Sequence, residues 1–140
     1  MRLYVIGPVS GMEGNNRPAF EEAARLLMAN GYGVDIPHDI VPEGVEDWRG
    51  AMFHCLHHLT MTRVRCDKGH KGERTGLPYV QGIAMLDGWE RSKGALLEKH
   101  IAEALGIPCR PWRRYLNPAA KAAPTAAADA AQPLLALASQ

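Results

Sequence analysis

The chain has 140 residues, 46% of them hydrophobic, enough for one domain with a sizeable core. Sixteen Lys and Arg nearly balance fifteen Asp and Glu, so no polyelectrolyte signature points to nucleic acid. No apolar run approaches the roughly 20 residues of a membrane span and no secretory signal opens the sequence. Three cysteines (Cys55, Cys66, Cys109) make no disulfide framework, so a cytoplasmic protein in a reducing compartment is expected.

The first apolar run, Arg2 to Ile6, ends at Gly7-Pro8 and reads as a buried strand. From Pro18 to Asn30 the spacing of Phe20, Ala23, Ala24, Leu27 and Met28 predicts a helix, stopped by Asn30-Gly31. Tyr32 to Ile36 reads as a second strand closed by Pro37. Asp47 is placed to cap a helix running to about Thr62. Arg63 to Tyr79 holds four Gly or Pro breakers and five basic residues besides His70, and is expected to be a flexible, exposed excursion. Val80 to Leu86 predicts a third strand, Ser92 to Leu105 a third helix stopped by Gly106, and Ile107 to Arg110 a short fourth strand. Residues 118–140, mostly Ala with scattered Pro, are expected to be a disordered or weakly helical tail outside a domain of residues 1–117.

Strand and helix alternate, which implies a parallel sheet covered on both faces. In such folds ligands bind outside the carboxyl ends of the strands. That rule points to three loops: Gly7–Arg17, Pro37–Asp47 and Asp87–Ser92.

The last of these leads into the most informative segment. Ser92 is placed to cap the third helix, whose free amides and dipole favour an anion. At about 100° per residue, Leu97, Ile101, Ala104 and Leu105 form the expected core stripe, with Glu98 at its edge. Gly94 lies one turn earlier and leaves empty space beside that carboxylate, making Glu98 a candidate nucleophile. The bland alternative is a solvated Glu98, or one paired with Lys99 or Arg91. In the first loop, Gly7, Pro8, Ser10, Gly11 and Asn16 combine close backbone approach with hydrogen-bonding groups, but match neither a dinucleotide fingerprint nor a Walker loop. Tyr4 either packs in the core or orients Glu98. Trp89 either stacks on a base or caps the core, and Asp87 either bonds a sugar hydroxyl or shapes the turn. Cys55-x2-His58 and Cys66-x3-His70 invite a zinc reading, but the spacing fits no tight zinc pattern, so no metal and no other cofactor is expected.

Taken together, Tyr4-Val-Ile-Gly7-Pro8-Val-Ser10-Gly11, Asn16, Phe20, Gly31-Tyr-Gly-Val-Asp-Ile-Pro37, Trp48, Met52, Leu86-Asp-Gly-Trp89-Glu-Arg-Ser92-Lys-Gly94-Ala95 and Glu98 resemble the nucleoside 2-deoxyribosyltransferase-like superfamily. The closest branch is its small phage and prophage proteins of unknown function. The resemblance spans roughly Arg2 to Pro111, apart from the 63–79 excursion. It implies an α/β, Rossmann-like or flavodoxin-like three-layer fold with a parallel sheet of about four or five strands. It also implies a hydrolase or transferase that cleaves the N-glycosidic bond of a nucleoside or nucleotide. Glu98 would then be the nucleophile and Tyr4 its aligner. Gly7 to Gly11, Ser92 and Gly94 would surround the sugar or its 5'-phosphate. Relatives are homo-oligomers, so a dimer or larger is expected. They commonly carry an aspartate in the second helix, where ungapped placement from Met52 puts Cys55. A neutral thiol replaces a carboxylate poorly, so Asp87 or Asp67 takes over, catalysis is weak, or the protein only binds a nucleotide-derived ligand. A further alternative is an interaction protein whose partner docks on the basic Arg63–Arg74 loop.

Overall fold

Residues 3–6 are completely buried, and their side chains feed two different apolar layers. Leu3 and Val5 join one, Tyr4 and Ile6 the other. That is the period-2 signature of a strand covered on both faces. The computed structural model describes residues 1–65, 69 and 72–116; the expected tail at 118–140 lies outside them.

In chain order the elements are β1 (Arg2–Ile6), α1 (Arg17–Ala29), β2 (Gly33–Asp35), a short α2 (Pro37–Ile40), α3 (Trp48–Leu59), β3 (Thr62–Arg65), β4 (Glu73–Pro78), β5 (Gly82–Met85), α4 (Lys93–Ala104) and β6 (Cys109–Pro111). One-turn 3-10 helices occupy Glu13–Asn16 and Trp89–Arg91, and a slightly longer one Trp112–Leu116. The main sheet has the order β2-β1-β5-β6, parallel throughout. This is an α/β, Rossmann-like fold with four parallel strands. From β1 the chain moves to one side for β2 and later to the other side for β5. The topological switch point therefore falls between β1 and β5, and the crevice rule selects the loops that follow them.

The layer on one face gathers Phe20, Ala23, Ala24 and Leu27 of α1 against Leu3, Val5 and Ala84. The opposite layer gathers Cys55 and Leu59 of α3 and Ala95 and Ala102 of α4 against Tyr4, Ile6, Ile83 and Met85. Two close approaches fix the carboxyl ends of the strands. A Cβ on Gly7 would lie 2.8 Å from that of Leu86. Gly88, at φ +86°, leaves room for Pro8, whose Cγ would be 3.5 Å from an added Cβ. The loops after β1 and β5 thus lie against each other because two residues there lack side chains.

Two expectations need correction. The excursion at 63–79 is mostly exposed in its described residues, as expected, but these pair as strands: β3 and β4 run antiparallel in a sheet separate from the main one. The α3 helix accordingly ends at Leu59, and Thr62 begins β3. The second correction concerns α4, whose buried residues are Ala95, Glu98 and Ala102. Leu105, placed by periodicity in the core stripe, is 45% exposed, and Ala104 is exposed as well. Small residues line the inner face, which lets the helix sit close to β1 and β6. The larger leucines are left for the flanks.

Candidate functional site

Glu98 is the one charged residue among the described residues that is buried, at 4% exposure. Its helix starts as the sequence suggests: Ser92 Oγ accepts a hydrogen bond from the Ala95 N–H at 3.2 Å. Rotation of α4 then turns Glu98 inward toward Tyr4 on β1 and Cys55 on α3. The solvated reading of Glu98 is excluded by this burial, and Lys99 pairs with Glu103 instead.

The three groups perturb one another. Burial raises the Glu98 carboxyl to about 7, against a smaller lowering influence from Tyr4. Burial also lifts the Tyr4 hydroxyl well above its ordinary value, reinforced by the neighbouring Glu98 and Cys55. The Cys55 thiol is pushed up to about 11 by burial, with Tyr4 lowering it and Glu98 raising it further. Cys55 is therefore a neutral thiol near pH 7 and supplies no carboxylate-like chemistry. Despite this proximity, the Tyr4 hydroxyl and Glu98 Oε2 are buried without hydrogen-bond partners. Unsatisfied polar atoms in a core cost about 1–3 kcal/mol each, so the two in this cluster work against the stability of the fold.

A stability measurement checks this arrangement. Tyr4→Phe removes a hydroxyl that makes no hydrogen bond, so urea unfolding at neutral pH should show unchanged stability or a gain of up to about 1 kcal/mol. A loss larger than that means the hydroxyl is bonded in solution.

The other expected site residues divide into several groups. Gly94 does not leave empty space. An added Cβ would meet Met52 Sδ at 3.1 Å and Trp48 Nε1 at 3.5 Å, so the missing side chain admits α3. Met52 and Cys55 share one face of α3, as Gly94 and Glu98 share one face of α4. Lys93 Nζ sits 4.1 Å from the Trp48 ring centroid. Gly7 and Pro8 form the contact between loops described above. Ser10 and Gly11 are exposed, and Gly11 has φ +79°. The Asn16 side chain is used within its own loop, where Nδ2 donates to the Pro8 carbonyl at 2.9 Å. Gly14, Asn15 and Asn16 all have positive φ, between 54° and 59°, and His38 Nε2 meets the Asn15 carbonyl at 2.8 Å. Trp89 packs half-buried against the α3/α4 layer with Lys99 Nζ 5.2 Å from its centroid, which is the capping alternative. Asp87 is not brought to Glu98. Its carboxylate points to the surface and takes two hydrogen bonds from Arg113, at 2.9 and 3.1 Å.

A polar network that periodicity does not reveal lies beyond Tyr4. Asp35 accepts from Arg2 at 2.9 and 3.0 Å and is 2.9 Å from His58 Nε2. Burial raises the Asp35 carboxyl, but the bond with His58 and the charge of Arg2 outweigh this and hold it below its ordinary value. The His58 ring lies 6.0 Å from Tyr4 and 5.5 Å from Tyr79. The available signal was a charged residue, Asp35, inside an otherwise apolar strand. The zinc reading splits on this geometry: Cys55 faces Tyr4 and Glu98, while His58 is engaged with Asp35. Cys66, Asp67 and His70 lie outside the described residues.

The fold and this cluster define the class: a Rossmann-like α/β protein with a buried carboxyl next to its first strand. The profile of the family described as Domain of unknown function (DUF4406) matches residues 1–68 and 75–110, and the chain belongs to that family. No curated protein and no solved structure matches it. Among the described residues, no helix is long and apolar enough to cross a membrane.

Proposed function

We propose that this protein is an N-glycosidase or deoxyribosyltransferase-like enzyme that acts on a small nucleoside or nucleotide, with Glu98 as nucleophile. The observation that carries the reading is the pair of unpartnered polar atoms, Tyr4 Oη and Glu98 Oε2, in one buried cluster. The resemblance noted in the sequence agrees with it. In this reading the Glu98 carboxylate attacks the anomeric carbon, and the C–N bond breaks with its electron pair leaving on the base, which takes up a proton. Water or a second base then releases the sugar from the glycosyl-enzyme ester, the two-step logic of retaining glycosidases. In this reading the Tyr4 hydroxyl, which neighbours Glu98, bonds and aligns the carboxylate only once substrate is bound, a contact that the free protein does not make. Gly94 lies one helical turn closer than Glu98 to the crevice, and Met52 fills the space beside it. In this reading that flexible side chain must move aside for the substrate to reach the nucleophile. We place the enzyme in the cytoplasm as a homo-oligomer. The exposed Phe53 and Leu96, on the outer sides of α3 and α4, favour contact with a second copy.

The test is chromatography of (deoxy)nucleosides and their 5'-monophosphates incubated with wild type and Glu98→Ala. Wild type should release base from at least one, and the variant should be slower by about a thousandfold or more. Absence of release across the panel, or equal release by the variant, refutes the enzyme.

A second reading, a non-catalytic binder of a nucleotide-derived ligand, is favoured by one observation: Cys55 is neutral where an acid is expected. It requires calorimetric binding that survives in Glu98→Gln with no turnover in wild type.

A further inference from the structure

A cavity lies at the amino end of the main sheet, away from the loops that follow β1 and β5. It has a volume of about 550 Å³ and is walled by Arg2, Met61, Arg63, Val64, Arg74 and Tyr79. Thr62 and Gln81 complete it, so it sits where the β3–β4 hairpin meets the amino ends of β1 and β5. Five strand residues at a rise of about 3.3 Å put Arg2 some 13 Å from Ile6 and the carboxyl-end crevice. The size suits a drug-sized or nucleotide-sized molecule.

Among the described residues, only one of the three arginines in this cavity is balanced locally. The Arg2 guanidinium is neutralised by its two bonds to Asp35. Arg63 and Arg74 are different. Arg63 Nε donates to the Pro78 carbonyl at 3.2 Å, and Arg74 Nη1 to the Thr62 carbonyl at 3.0 Å. These bonds fix both side chains to the hairpin backbone without neutralising them. Among the described residues, neither guanidinium meets a carboxylate, and their remaining N–H groups are available. Two guanidinium forks match the several oxygens of a phosphate better than the two of a carboxylate, which one fork satisfies.

The rest of the wall is apolar or planar. Arg2 lies over the Tyr79 ring at 5.1 Å, clamped between that ring and Asp35. Its guanidinium, held beside that ring, forms one planar part of the wall, with Met61 and Val64 next to it.

We propose that this cavity binds a small organic phosphate carrying a planar, apolar body: the phosphate between Arg63 and Arg74, the ring against Arg2, Met61 and Val64. This assignment is independent of the chemistry of Glu98.

The test uses phenyl phosphate titrated into the full ¹⁵N-labelled chain, with inorganic phosphate and phenol as comparators. Saturable binding should shift the amide signals of Thr62, Val64, Tyr79 and Gln81, more tightly than with either comparator. The double variant Arg63→Gln/Arg74→Gln should weaken it at least about tenfold, about 1.4 kcal/mol, while Arg113→Gln should leave it unchanged. The site is refuted by no saturable binding in wild type, by shifts confined to the loops at 7–16 and 87–92, or by affinity indifferent to the double variant. A single-stranded oligonucleotide that binds more tightly, with the same arginine dependence, overturns the small-molecule assignment in favour of nucleic acid.

Discussion

Base release catalysed through Glu98 should rise with pH below neutrality and level off above it. Burial holds the carboxyl at about 7, and only its ionised form attacks carbon. The ionised fraction changes roughly 50-fold between pH 5 and pH 7, so kcat/KM, which reports the free enzyme, should fall by about that factor over the same interval. Glu98→Gln should remove the pH-dependent part of the rate and leave only the solution background, which serves as the blank. The Asp35 carboxyl, held low by His58 and Arg2, ionises below this window and does not compete as an explanation. Cys55, pushed up to about 11, is neutral throughout it. A rate independent of pH from 5 to 8, or a limb that persists in Glu98→Gln, removes Glu98 from the chemistry.

Such a tuned carboxyl is difficult to read from sequence, and α4 shows why. Leu97, Ile101, Ala104 and Leu105 look like a core stripe because hydrophobicity is a good proxy for burial on most helices. On α4, close packing against the sheet takes priority, and it is delivered by Ala95 and Ala102. Their small volume, and not their hydrophobicity, decides which face turns inward. Glu98 rides on that face. The main sheet was legible for the opposite reason. β1 and β5 are covered on both sides, so every residue from Leu3 to Ile6 and from Gly82 to Met85 lacks a charge and the runs are unmistakable. The hairpin was not, because β3 and β4 are mostly exposed and carry Arg63, Arg65, Arg74, Gly76 and Pro78, residues that argue against strands. The contact of Asp35 with Arg2 and His58 joins residues from β1, β2 and α3, and no local spacing encodes it. Asp87 was attractive because it follows β5 at the crevice. Its surface position follows from Gly88: the left-handed residue after it turns the chain, and Arg113 then takes up the carboxylate.

The same proton that limits the chemistry at low pH stabilises the fold there. Because the folded Glu98 carboxyl is raised above its unfolded value of about 4.3, the native state holds its proton over an interval in which the unfolded chain has lost it. Stability from this group is fully present below about pH 4.3, declines as pH rises, and is gone above the folded value of about 7. The difference corresponds to on the order of 4 kcal/mol, a large part of the 5–15 kcal/mol typical of a domain. Urea unfolding of wild type at half-unit steps from pH 5 to 8 should therefore show a falling stability that Glu98→Gln does not share. The comparison of slopes is the informative quantity, since the carboxamide has its own unsatisfied groups and shifts the whole curve. Parallel curves for the two proteins would mean that Glu98 ionises in the folded state much as it does in water, with its carboxyl solvated. A diverging pair, combined with a rate that climbs over the same interval, ties both effects to one group. The residue that makes the folded state less stable above neutrality is then the one that makes it active there, the trade between stability and function expected where a core carries an unsatisfied acid for chemistry.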